Sequence, residues 1–200
     1  MKDWVGNKNS IFKTLGASNH TDKEREENDF YATDPIAIDK LLSTGFELSK
    51  NVWEPACGAG HLSKRLEHYG YNVRSTDLID RGYGEQKDFL TDDGINIWDG
   101  DIITNPPYKY SLYFVQQALD LVKTGRKVVM FLKLTFLEGK ERGEFFKENP
   151  PKYVMVFSQR ILCAKNAQFE EMKKGGGSAV AYAWFIWEKG YKGACEVKWI

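Results

Sequence analysis

Residues 52–62 read VWEPACGAGHL. Val52 and Trp53 suit a strand, Glu54-Pro55 stops it, and two glycines two apart precede a segment of helical character. Pro55 removes a backbone donor, while Gly58 and Gly60 supply turn conformations that other residues resist. The spacing therefore predicts strand, tight turn and helix, the helix HLSKRLEHYG being closed by Gly70. A turn of this kind, at the carboxyl end of a strand, is where open α/β sheets receive nucleotide-like ligands. Alone, a GxG pair is equally the mark of an ordinary strand-to-helix turn.

The same rhythm extends outward. Strands are expected at YNVRSTD (71–77), DIIT (101–104), RKVVMFLKLTF (126–136) and YVMVFS (153–158). Helices are expected at 36–45, behind Asp34 as cap and Pro35 in the first turn, at SLYFVQQALDLVKTG (111–125) and at KERGEFFKE (140–148). Alternating strands and helices imply right-handed crossovers and a mostly parallel sheet covered on both faces. AVAYAWFIWEKG (179–190) and CEVKWI (195–200) have no helix between them, which predicts an antiparallel hairpin at the end. Residues 1–28 are a polar extension in which KEREE is either a short capped helix or a solvated segment, and KKGGGS (173–178) is a flexible loop. Residues 29–200 are expected to be one domain, with no segment large enough for a separate target-recognition domain.

Bulk properties narrow the class without naming a function. With 200 residues, 42% hydrophobic and 28% charged, the chain has the make-up of a globular protein. No apolar run is long enough for a bilayer, and the start lacks a signal-peptide core. Three dispersed cysteines form neither a disulfide framework nor a metal spacing, and His20, His61 and His68 add no metal set; a reducing cytoplasm fits. The formal net charge is zero, so a nucleic-acid-binding surface would have to be local.

Two details sharpen the glycine turn. Ser63 stands where the dinucleotide fingerprint has its third glycine, which argues against NAD. Glu54 places a carboxylate where a ligand ammonium could sit, and Asp77 closes the next strand where ribose hydroxyls are received. A cationic ligand with a free ribose and no pyrophosphate fits S-adenosylmethionine better than a dinucleotide. Further on, DIITNPPYKY (101–110) carries a buried strand straight into Asn105-Pro106-Pro107-Tyr108. Read alone this is a proline turn; read with the glycine turn it is a stiff platform for one amide and one ring.

EPACGAG, Asp77 and NPPY together resemble the Rossmann-like adenine-N6 methyltransferases of class I, over roughly residues 28–190. That resemblance implies a mostly parallel seven-stranded sheet and S-adenosylmethionine as cofactor. Tyr31 and Thr33 match the family's amino-terminal motif, with Pro35 nearby. Glu54, Ala56, Cys57, Gly58, Gly60, Asp77 and Leu78 fall on its cofactor elements. Asp88 and Phe89 match its third cofactor element, a carboxylate for the adenine amino group and a ring against the base. The order of motifs is the gamma arrangement, and the polar start is similar to small phage and prophage DNA methyltransferases. By this resemblance the partner is duplex DNA with a flipped adenine, with no metal and no membrane, acting as a monomer or homodimer. Asn105 and the Pro106 carbonyl would accept the amino hydrogens, Pro107 would stiffen the turn, and Tyr108 would stack on the base.

Other residues keep two readings. Lys133 and Phe136 either shape the target pocket or, for Phe136, belong to the core. Lys140 and Arg142 lie on a solvated helix face or touch a nucleic-acid backbone. Arg160, Lys165, Lys173 and Lys174 are better placed for such contacts. Trp184 and Trp187 are expected in the core, and His68 on an exposed helix face. RNA adenine or guanine methyltransferases and protein-glutamine methyltransferases resemble the chain at the same two motifs. A glutamine enzyme would need a substrate domain ahead of the glycine turn, where only about fifty residues stand. A non-catalytic cofactor-binding module would leave an intact NPPY without a purpose.

Overall fold

The computed structural model describes residues 31–91, 97–165, 169–174 and 180–200. Expectations for residues 1–28, for the glycine loop and for the side chains of Lys165, Lys173 and Lys174 fall outside it. In chain order the strands are β1 (Tyr31–Thr33), β2 (Asn51–Glu54), β3 (Asn72–Asp77), β4 (Glu85–Gln86) and β5 (Asp101–Thr104). They continue with β6 (Lys127–Lys133), β7 (Tyr153–Val156), β8 (Cys163–Lys165), β9 (Tyr182–Glu188) and β10 (Glu196–Trp199). The helices are α1 (Ile36–Ser43), α2 (His61–His68), α3 (Ser111–Leu121), α4 (Lys140–Glu148) and α5 (Phe169–Lys174).

Eight strands form one sheet in the order β10-β7-β9-β6-β5-β2-β3-β4. All neighbours are parallel except β9, which is antiparallel to both β6 and β7. The antiparallel pair near the carboxy terminus is therefore β7 with β9, and the last two strands do not form a hairpin. The reason is room: β6 and β7 occupy both edges of β9, so β10 can add only to the outer edge of β7, which it does in parallel. The sheet also exceeds seven strands, because the two-residue β4 extends its opposite edge.

Helices cover both faces. On one side, Ile38 and Leu41 of α1 and Leu62 and Leu66 of α2 pack on Val52, Ile103, Val129, Phe131 and Trp184. On the other, Leu112, Val115 and Ala118 of α3 pack on Trp53, Ile102, Val128, Met130 and Phe185. Parallel strands buried on both faces explain why VVMFL in β6 is apolar without alternation. Trp184 and Trp187 are buried, their indole N–H groups donating to the Ala37 and Asn149 carbonyls, and His68 is exposed, as expected. The expected strand through Phe136 ends at Lys133; residues 134–137 turn as a 3-10 segment and drive the Phe136 ring inward. It packs edge-on against Phe146, Phe185 and Trp187, so it belongs to the core.

Two features aim the chain at the carboxyl ends of β2 and β5. The strand order reverses there, β3 lying on one side of β2 and β5 on the other, which opens a crevice above the strand ends. Beside it, β1 and β8 form a separate antiparallel ribbon in which Thr33 pairs with Cys163. Asp34 ends this ribbon, its side chain accepting the Ile36 N–H at 3.1 Å to start α1.

Candidate active site

The glycine turn sits at the carboxyl end of β2 and is tied to β3. The Cys57 N–H donates to the Thr76 carbonyl (3.0 Å), and the Gly58 N–H donates to Asp77 Oδ2 (2.8 Å). Gly58 and Gly60 have φ of 53° and 79°, in the left-handed region that glycine tolerates. Gly60 has a second reason to be glycine, since a Cβ there would run into the ring of Tyr83. Asp77 also accepts the Ile79 N–H through Oδ1 at 3.0 Å, so both of its oxygens brace the loop, each with a lone pair to spare. Next to it the Leu78 side chain is 54% exposed, an apolar group left open to a ligand. Ala56 is half-buried, and burial pushes the Cys57 thiol up to about 12, so it is an inert small residue of the turn.

Glu54 is not a surface carboxylate. It is buried, receives the Ser63 hydroxyl, and Ser63 in turn lies 2.6 Å from the Ser75 hydroxyl. Burial pushes its carboxyl up to about 8, against the pull of the Ser63 hydrogen bonds. Ser63 is thus a partner for Glu54 where a dinucleotide-binding turn would have glycine. Asp88 accepts the Leu90 N–H at 2.9 Å and starts the 3-10 turn at 89–91. The Phe89 ring, expected against a base, is buried against Trp53 and Phe114 with centroids 5.3 and 5.0 Å away. Its place is in the core because the turn after Asp88 directs the ring under the sheet end.

At the end of β5, Asn105 is gripped by the ribbon. Its Nδ2 donates to Thr33 Oγ1 (2.9 Å), to the Tyr31 carbonyl (3.2 Å) and to Cys163 Sγ (3.4 Å). A backbone carbonyl only accepts, so this contact fixes which end of the amide is nitrogen. Asn105 Oδ1 is buried without a hydrogen-bond partner, as is the hydroxyl of Thr104. Pro107 adopts φ −56° and ψ 121°, and the Tyr110 N–H donates to its carbonyl at 2.9 Å, which turns the chain into the 3-10 segment and α3. The Tyr108 hydroxyl lies 3.3 Å from Cys163 Sγ, and its ring lies nearly parallel to Tyr182 at 6.2 Å. Lys133 Nζ stands 4.3 Å from the centroid of Tyr108. Burial holds the phenols of Tyr108 and Tyr182 above the usual range. Cys163 and Tyr182 are site residues that local sequence patterns do not mark: one is a lone cysteine, the other the first residue of an aromatic strand.

The basic candidates separate. Lys133 reaches the site; Lys140 and Arg160 are exposed and away from these hydrogen bonds. Arg142 is spent locally, donating through Nε to the Phe136 carbonyl at 2.8 Å and lying over that ring, so it braces the 134–137 turn. Lys165 belongs to β8, its backbone paired with Tyr31. Among the described residues no cluster of His, Cys, Asp or Glu could hold a metal ion, and no helix is long and apolar enough to cross a membrane.

No protein-family model and no curated protein sequence matches the chain. Solved structures do. A protein of Listeria monocytogenes described as a class I S-adenosylmethionine-dependent methyltransferase aligns with a TM-score of 0.57, at 17% identity, over 93% of this chain and 69% of its own. The chain has the class I methyltransferase fold. With this fold, a type I restriction-enzyme modification subunit of Vibrio vulnificus aligns at TM-score 0.58 and 13% identity, over 88% of this chain. The chain spans about half (48%) of that subunit. A protein of Pyrococcus horikoshii described as an RNA methyltransferase aligns at TM-score 0.52 and 14% identity, over 77% of this chain and 81% of its own. Placed on the methyltransferase fold, the glycine turn, Asp77 and NPPY all lie at the carboxyl ends of adjacent strands.

Proposed function

We propose that the chain methylates the N6 amino group of adenine in duplex DNA, using S-adenosylmethionine. The observation that carries this reading is the Asn105 amide. Its N–H groups are engaged by the protein, so Oδ1 is all it can offer a substrate, and Oδ1 is a buried acceptor without a donor. An unmet buried acceptor costs roughly 1–3 kcal/mol, which an incoming N–H group relieves. A substrate amino group fits; a carbonyl does not.

The residues present also fit the cofactor. Gly58 and Gly60 let a ligand approach the backbone, Asp77 has lone pairs for ribose hydroxyls, and Leu78 offers an apolar contact for an adenine face. When bound, S-adenosylmethionine supplies an electrophilic methyl group on a sulfonium. Against it, Asn105 Oδ1 accepts a hydrogen from the adenine amino group and favours a lone pair localised on nitrogen. The stiffness of Pro106-Pro107 keeps that acceptor preorganised, which is where such catalysis gains its effect. Tyr108 gives the flipped base a stacking surface worth about 1–3 kcal/mol, comparable to the few kcal/mol that extrusion costs. A reducing cytoplasm, free of disulfide pressure on Cys57, Cys163 and Cys195, suits the enzyme.

Tritiated methyl transfer to unmethylated duplex DNA, total RNA and a release-factor protein tests the reading. Transfer to DNA at adenine N6, lost in Asn105→Ala with cofactor binding retained, supports it. Full activity of that variant would falsify the role given to Asn105. An RNA adenine is the second reading, favoured by the likeness in fold to the Pyrococcus protein.

A further inference from the structure

We propose that Cys163 is a positioning residue for methyl transfer, its thiol clamping the Asn105 amide and the Tyr108 ring in one arrangement. The proposal rests on the adenine reading of NPPY above. Cys163 is buried on β8, and its sulfur lies 3.4 Å from Asn105 Nδ2 and 3.3 Å from the Tyr108 hydroxyl. Thr33 and Tyr182 also interact with it through their side chains. No other side chain touches both the amide and the phenol of NPPY among the hydrogen bonds of the described residues.

Hydrogen counting shows what the sulfur adds. The amide has two N–H groups facing three acceptors: Thr33 Oγ1, the Tyr31 carbonyl and Cys163 Sγ. The first two both come from β1, so the thiol is the acceptor that engages the amide from the other strand of the ribbon. With Asn105 and Tyr108 donating to sulfur, the thiol keeps its own hydrogen for the Tyr31 carbonyl, 3.9 Å away. The hydrogens of the amide, the Tyr108 phenol and the thiol then all have acceptors, and within the Asn105 amide the unmet capacity is Oδ1. Burial pushes the thiol up, which keeps it neutral and makes it a poor nucleophile, so it acts by contact and not by bond formation. The placement is also tied to the fold: Cys163 pairs in register with Thr33, so one backbone pairing sets two of the three acceptors. Sulfur suits the post because its long bond to carbon reaches both groups while staying apolar enough for the core.

The test compares wild type with Cys163→Ala and Cys163→Ser. It reads kcat and KM for duplex DNA and S-adenosylmethionine, and the side-chain amide signals of Asn105 in the nitrogen-15 NMR spectrum of the free protein. Those signals are assigned by their loss in Asn105→Ala. In Cys163→Ala, kcat is expected to fall roughly 10- to 100-fold, the loss typical of a reacting group held slightly out of place. Both KM values should stay within about twofold, since the ring that stacks on the base is still present and only its alignment with the amide is loosened. The Asn105 amide signals should move, and serine, which restores a hydrogen-bonding atom at the cost of reach and polarity, should recover part of kcat. A role in packing alone predicts the opposite order, with serine no better than alanine. That order, an unchanged kcat in Cys163→Ala, a rise in KM with kcat intact, or unmoved amide signals would each overturn the proposal. Signals that move in a protein whose wild type methylates neither DNA nor RNA would uphold the clamp and reject the adenine reading.

Discussion

Thr33 and Asn105, seventy-two positions apart in the chain, are joined by a 2.9 Å hydrogen bond from amide to hydroxyl. One residue stands on the ribbon beside the sheet and the other at the end of a central strand. The orientation of the amide depends on that distant hydroxyl, and so does the side of it that faces a substrate. Thr33→Val keeps the shape and removes the acceptor. Losing the shortest of its three acceptors leaves the amide to the longer Tyr31 and Cys163 contacts. A hydrogen-bond loss of about 1–3 kcal/mol at the transition state would drop kcat roughly 5- to 150-fold with the fold intact. Steady-state methyl transfer alongside a thermal melt checks it; unchanged kcat would mean that Tyr31 and Cys163 suffice.

Asp77 holds the Gly58 and Ile79 N–H groups as well as facing the proposed ribose. Asp77→Ala should therefore weaken S-adenosylmethionine binding and also lower stability, by about 1–3 kcal/mol for the orphaned donors. Asp77→Asn, which keeps one carbonyl oxygen, should fall between. Calorimetric titration with urea unfolding separates the two effects, and unaltered cofactor affinity in the alanine variant would remove Asp77 from the ribose site.

Glu54 makes stability depend on pH. Its ordinary value is 4.5, and burial raises the folded one to about 8. Between these values the unfolded chain has released a proton that the folded chain keeps, so stability falls as pH rises through this window and levels off above it. Glu54→Gln removes the titration while leaving an oxygen for Ser63. Urea midpoints at pH 5, 6.5 and 8 should decline in wild type and decline less in the variant; parallel curves would show that Glu54 is ionised in the folded protein.

Gly60 faces two penalties at once. Its φ of 79° costs an alanine roughly 1–2 kcal/mol, and the new methyl meets the Tyr83 ring. Gly60→Ala should lower the melting temperature, and Tyr83→Ala in the same chain should return part of the loss. A double-mutant cycle with no coupling would show that backbone strain alone is responsible.

Local signals made the strand, turn and helix around 52–68 readable, because prolines and glycines act within a few residues. The abrupt stop of β5 at NPPY was readable for the same reason. What could not be read was decided by distant neighbours. Phe89 follows a motif that suggests a base contact, yet Trp53 and Phe114 claim its ring. Phe136 looked like the end of a strand until residues 134–137 turned it inward. The carboxy-terminal strands looked like a hairpin because spacing says nothing of β7, which lies between them. Cys163 left no trace, since its meaning comes from Asn105, fifty-eight residues earlier.

The β1–β8 ribbon has a consequence for biosynthesis. Residues 52–108 contain the glycine turn, Asp77 and NPPY, all the chemistry that the motifs advertise. Yet the amide at their centre is set by Tyr31 and Thr33 from before that stretch and by Cys163 from well after it. A nascent chain that has not yet released Cys163 from the ribosome carries every motif without its closing contact. The ribbon thus makes the final setting of the Asn105 amide wait for a residue translated after all of the motifs.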